Sequence, residues 1–184
     1  MYTRTTNKPN RAPGETAAAV LKVITTIMML MLTAFCAVYF FAMQVPIVSA
    51  SMSPTLDSGE TVLSGSAIYS FADPERFDIC AFRVGDRVYV KRIIGLPGET
   101  VQISDGIVYI NGEALANDVT DEKAISPGLA ADGITLGEDE YFVLGDNRNN
   151  SEDSRSLSIG TVKRSQIIGK CWCRLTSLGP YLIQ

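Results

Sequence analysis

The 184-residue chain has room for one ordinary domain plus an anchor, and too little for two comfortable domains. With 46% apolar residues and a net charge of -4 it reads as a folded protein without the basic footprint of a nucleic-acid binder. It contains no histidine, which excludes a Ser-His-Asp triad, a Cys-His pair, a His-ligated zinc and a His general base. Acid–base chemistry near neutral pH therefore falls to a Lys, Asp, Glu, Cys or Tyr whose pKa its surroundings have shifted.

In chain order, the first residues are polar, carry Arg4, Lys8 and Arg11, and read with Lys22 as an N-terminal tail over residues 1–22. Residues 23–43 form an uncharged apolar run that, at about 1.5 Å per residue, spans about 30 Å, the thickness of a bilayer's hydrocarbon core. Lys22 stands at one end of the run, and Tyr39, Phe40 and Phe41 lie toward the other as interface anchors. A cleaved signal peptide would have a shorter apolar region and a small-residue site after it; Met43-Gln44-Val45-Pro46 is a poor one, so a permanent transmembrane helix is expected. Basic residues before the helix and an acidic chain after it put the N-terminus in the cytoplasm and residues 44–184 outside, on the far side of a cell membrane.

Beyond the anchor, short β-branched and aromatic runs predict strands at TVLSGSAIY, DICAF, RVYVKRIIG, ETVQIS, GIVYING and EYFVLGD. Asn111-Gly112 is a hairpin-type turn, and residues 114–137 read as a polar, loop-rich insertion. The expected fold is mainly β. Four cysteines are present: Cys36 falls in the apolar run, while Cys171 and Cys173 would share one face of a strand and not pair with each other. A bridge from Cys80 to either stays open beside the alternative of buried free thiols. No zinc-like spacing exists, and no metal or cofactor is expected.

Three segments carry groups that could do chemistry. In the predicted strand around Lys91, Tyr89 and Ile93 share the lysine's face, and desolvation there would lower its pKa toward that of a usable base. A solvated or snorkelling lysine is the plain alternative. Ser51 lies in Ser49-Ala50-Ser51-Met52-Ser53-Pro54-Thr55, which by itself reads equally well as a turn. The third segment, Gly145 to Arg155, is dense in Asp, Asn, Arg and Ser, the residues of a tied-down loop.

Taken together, Ser51-Met52-Ser53-Pro54-Thr55 after an anchor, Lys91-Arg92 followed by Gly95-Leu96-Pro97-Gly98, and Gly145-Asp146-Asn147 running on to Ser151, Asp153, Ser154 and Arg155 resemble the type I signal peptidases. The resemblance implies a signal-peptidase/LexA-like β catalytic domain in which Ser51 is the nucleophile and Lys91 its general base, which suits a chain without histidine. It further implies that Ser49 helps stabilise the oxyanion beside the Ser51 backbone N–H and that Ser151 holds the lysine by a hydrogen bond. Asp153 and Arg155 would support the site, and Met52 would shield the amine. The implied partners are signal-peptide-bearing preproteins, bound by strand addition and cut after an Ala-x-Ala pattern, together with membrane lipid. Three departures stand out: Ala50 and Phe77 occupy usual glycine positions, and the stretch from Arg155 to Gly160 is about two residues longer than the family pattern. A self-cleaving repressor of the same β type would need a DNA-binding module where this chain has an anchor. The other alternative is a catalytically inactive or narrowly dedicated membrane-tethered scaffold or processing protein of the same fold; the presence together of Ser49, Ser51, Lys91 and Ser151 argues against the inactive form.

Overall fold

A computed structural model describes residues 13–41, 43–120, 122–176 and 179–183, with helix side chains described over 17–36. The chain forms two compact units, residues 1–41 and 42–184. The first is the helix α1 (Pro13–Phe41). It begins at a proline, a residue suited to a first helical turn because its missing N–H would have no partner there. The helix thus starts ten residues before the expected 23 and takes in part of the segment read as tail, while Met43 already belongs to a strand. Its stretch Ala17–Cys36 is long and apolar enough to cross a membrane. Lys22 lies inside that stretch and not at its edge. The remainder of the expected tail, residues 1–12, and the side chains of Tyr39, Phe40 and Phe41 fall outside the described residues.

The second unit is built from two antiparallel sheets. The larger is ordered β1-β2-β11-β3-β4-β9-β10 with β12 paired to β11, where β1 is Met43–Pro46, β2 Thr61–Gly65, β3 Ile79–Val84, β4 Arg87–Gly95, β9 Glu140–Leu144, β10 Val162–Lys163, β11 Ile167–Thr176 and β12 Gly179–Leu182. The smaller is ordered β7-β6-β5-β8, from β5 (Thr100–Ser104), β6 (Ile107–Ile110), β7 (Glu113–Ala114) and β8 (Ile134–Thr135). All six expected strand runs contain a strand, and β4 matches its run end to end. The long β11 was not anticipated. Its buried residues alternate with half-exposed Lys170, Trp172 and Arg174, so no apolar run marks it, and register shifts interrupt its pairing on both sides.

Turn chemistry explains the small sheet. Asn111 and Gly112 both adopt positive φ (53° and 85°), the mirror-image turn that suits the right-handed twist of a hairpin. Phe77, at a position where a glycine was expected, has φ of 72° and is the one bulky residue among the described non-glycines with positive φ. Its backbone N–H donates to Ile93 O at 2.8 Å and its carbonyl accepts from Arg92 Nη1 at 2.8 Å, so neighbours on β4 fix this conformation. Ala50 is not among the positive-φ residues, and the missing glycine there costs no backbone strain.

Apolar residues from both sheets fill three clusters, one of which packs Met52 and Leu56 against Val62, Ile79 and Val90 and thereby seats the segment carrying Ser51 on the large sheet. The cysteines are free, and Cys80, Cys171 and Cys173 are buried. Burial pushes the Cys80 thiol up, and the same desolvation raises Cys171 to about 12, so neither is a thiolate near neutral pH. We expect these three thiols to resist maleimide until denaturant is added, and the melting temperature to be unchanged by reductant. A drop in melting temperature with dithiothreitol would contradict the free-thiol structure.

Candidate active site

The cleft that brings the three motifs together has a volume of about 720 Å³ and is walled by residues following β1, by the first half of β4 and by the loop after β9. Strand β4 delivers Lys91, which is 3% exposed, while Ser51 at 6% sits on the turn after β1. Lys91 Nζ donates to Ser51 Oγ at 2.5 Å. Ser49 Oγ lies 3.1 Å from Ser51 Oγ, so a serine two residues away and a lysine 40 residues away both meet the Ser51 hydroxyl. Met52, 1% exposed, lines the same cleft and belongs to the apolar cluster with Leu56 and Val90.

Burial is what alters the lysine. Removing an ammonium from water lowers its pKa from 10.5 to about 8, and the negative charges of Asp153, Glu152 and Asp146 oppose part of that shift. A substantial fraction of neutral amine is therefore present at mildly alkaline pH. Deprotonated, Lys91 can accept the Ser51 proton along the same short contact.

The polar loop after β9 frames the pair. Asp146 accepts from Arg92 Nε at 2.8 Å and Nη2 at 2.7 Å, and also from Thr55 Oγ1 at 2.6 Å. One carboxylate thus ties the residue after Lys91 to the residue four beyond Ser51, with Arg92 and Asp146 each 3% exposed. The backbone N–H of Asn147 donates to Ser51 O at 3.1 Å and Asn147 Nδ2 to Ala50 O at 3.1 Å, which pins the nucleophile's turn from the other side. Asp153 takes Arg155 Nε at 2.8 Å and Nη2 at 2.8 Å and accepts the Gly145 N–H at 3.1 Å. These contacts fit the supporting role expected of Asp153 and Arg155.

Ser151 lines the cleft, but the hydrogen bond expected between it and Lys91 is not made: its buried Oγ has no partner among the described residues. The lysine's contact goes to Ser51, and Ser151 Oγ is packed over Gly145. The reason for Gly145 is steric. A Cβ there would lie 2.2 Å from Ser151 Oγ and 2.5 Å from Ser51 O. Gly145→Ala must displace both, and because a misplacement of about 1 Å costs about 100-fold in rate, a loss of that order is expected while the protein remains folded. Turnover within threefold of wild type would show that this packing does not position the site.

Sequence reasoning missed how the 114–137 segment joins the site. Asp118 pairs with Arg148 at 2.5 Å, Glu122 Oε2 accepts the Arg148 N–H at 2.7 Å, and Ser126 O accepts from Arg155 Nη1 at 3.2 Å. The insertion clamps the loop that carries Asp146 and Ser151. Its only sequence signal was the placement of acidic residues opposite a motif rich in arginine. Among the described residues no group of acidic or cysteine side chains is arranged to hold a metal ion.

A family model described as signal peptidase, peptidase S26 matches residues 20–176. A probable signal peptidase I-2 of Synechocystis is 38% identical over 136 residues, which is 68% of this chain and 59% of that protein, so the chain spans less than two thirds of that relative's length. A signal peptidase I of Leptolyngbya laminosa is 37% identical over 148 residues, covering 72% of this chain and 70% of its own. Among solved structures, a signal peptidase I from Enterococcus faecalis V583 is similar at 38% identity with a TM-score of 0.44, over 54% of this chain and 97% of that one. On the strength of the family match across most of its length, the chain belongs to the signal peptidase family, peptidase S26.

Proposed function

We propose that this protein is a membrane-anchored serine endopeptidase that removes signal peptides from exported preproteins, with Ser51 as nucleophile and Lys91 as general base. The observation that carries the reading is the 2.5 Å contact between a buried lysine and Ser51 in an open cleft of a chain without histidine. Neutral Lys91 takes the Ser51 proton as Oγ attacks the scissile carbonyl, then gives it to the leaving amine as the acyl-enzyme forms; water repeats the sequence to release the signal peptide. The oxyanion is met by the Ser51 backbone N–H and the Ser49 hydroxyl. Losing one such donor typically costs about 3 kcal/mol, so Ser49→Ala should lower kcat about 100-fold with little change in KM. A fall in kcat/KM carried by KM alone would remove Ser49 from this role.

The family's substrates supply the rest of the reading: an extended preprotein segment with small residues at the first and third positions before the cut. The apolar stretch of α1 supports anchorage in the cell membrane, and the charge pattern supports a cytoplasmic N-terminus with the second unit outside. Anchorage raises the effective concentration of a substrate held in the same bilayer. The test is to incubate the detergent-solubilised full chain and its Ser51→Ala variant with a preprotein whose signal ends in Ala-x-Ala. A product starting directly after that alanine, formed by wild type alone, is expected. Equal cleavage by the variant would refute the assignment of Ser51.

A further inference from the structure

The catalytic reading makes no use of the longer stretch between Arg155 and Gly160, yet that stretch is well organised. Ser156 turns back so that its N–H and its Oγ both meet Asp153 O, each at 2.9 Å. Ser156 Oγ and Ser158 Oγ share a hydrogen bond of 2.8 Å, and Ser158 Oγ donates to Glu152 Oε1 at 2.6 Å. The extra residues therefore hold one carboxylate oxygen of an exposed glutamate. The other oxygen has no partner among the described residues.

Glu152 lines the same cleft as Ser51 and Lys91, and it is the only acidic residue among the described residues that does so. It lies on the loop that leaves β9 where that strand ends beside Arg92 of β4, so this loop borders the cleft on the lysine's flank of the nucleophile. On the reading above, Lys91 returns its proton to the leaving amine, so that flank faces the chain beyond the scissile bond. An exposed carboxylate held there with a free oxygen attracts a cation and repels an anion.

We propose that Glu152, held by Ser158, is a specificity-determining residue for the mature side of the cut, favouring a basic over an acidic side chain in the first two residues after the scissile bond. The proposal rests on the peptidase reading. Its test compares matched peptides carrying Lys, Gln or Glu at the first or the second position after the cut, using the full-length protein, Glu152→Gln and Glu152→Lys at one pH and low salt. Every peptide relies on the same Lys91, so the Lys-to-Glu ratio of kcat/KM cancels any influence of Glu152 on the base. The wild-type ratio should be about three- to tenfold at one of the two positions, as befits a solvent-exposed pair, and should shrink as salt is raised. It should fall to about one in Glu152→Gln, invert in Glu152→Lys and diminish in Ser158→Ala. A wild-type ratio of one at both positions, or a ratio that survives Glu152→Gln, would overturn the proposal. Failure of wild type to cut the Gln peptides would instead overturn the peptidase reading on which it stands.

Discussion

Lys91→Met should abolish turnover, with a loss of about 1,000-fold or more, while the protein keeps its fold. Methionine fills similar space without an amine, so it leaves neither a buried charge nor a large cavity beside Met52. Lys91→Arg should be equally inactive despite keeping the positive charge, because a guanidinium stays protonated and cannot accept the Ser51 proton. Lysine is required for its ability to become neutral, and the 3% exposure that makes this feasible comes from its setting on β4. Initial rates on an Ala-x-Ala preprotein, alongside circular dichroism, check both variants. Activity in Lys91→Arg within tenfold of wild type would mean that the residue supplies charge and not basicity.

The largest expected effect on stability comes from Asp146→Ala. Arg92 is 3% exposed and spends two guanidinium nitrogens on Asp146, so removing the carboxylate strands a buried cation. Breaking a buried pair in this way typically costs about 3–5 kcal/mol. Thr55 loses its acceptor as well, which loosens the turn that carries Ser51. Replacing both partners, in Arg92→Met with Asp146→Leu, should recover part of the lost stability because no uncompensated charge remains. Urea unfolding of the detergent-solubilised chain reads out both variants. A loss under about 1 kcal/mol in Asp146→Ala would show that Arg92 finds water or another acceptor.

Much of the site was legible in the order of its motifs. The strand around Lys91 and the absence of histidine pointed to a desolvated lysine as base, while the roles of Ser51 and Ser49 came from the resemblance of the ordered motifs. Other parts depend on contacts between distant segments. Nothing near Asp146 announces that it bridges Thr55 and Arg92, and nothing near Gly145 announces that Ser151 and the Ser51 carbonyl crowd it. The Ser151 bond to lysine, implied by resemblance, gave way to close packing on Gly145. At Phe77 the glycine-like conformation persists with a bulky side chain, because its N–H bonds the Ile93 carbonyl and its carbonyl accepts from the Arg92 side chain, both on β4. Ala50 was an open question about strain that only its φ could answer. The early start of α1 was hidden because Ala17, Ala18 and Ala19 extend a helix without adding to an obvious apolar run.

A desolvated Lys91 that activates Ser51 in its neutral form must leave its mark on the pH dependence of kcat/KM. Because burial lowers the lysine to about 8, its protonated form dominates below that pH and cannot act as the base. The neutral fraction grows as pH rises through 8, so kcat/KM should climb about tenfold per pH unit below that point and level off above it. Glu152→Gln removes one of the charges that raise the lysine's pKa, and the limb should then move to lower pH. A profile flat from pH 6 to 10, or one with its rising limb near 10.5, would contradict the account.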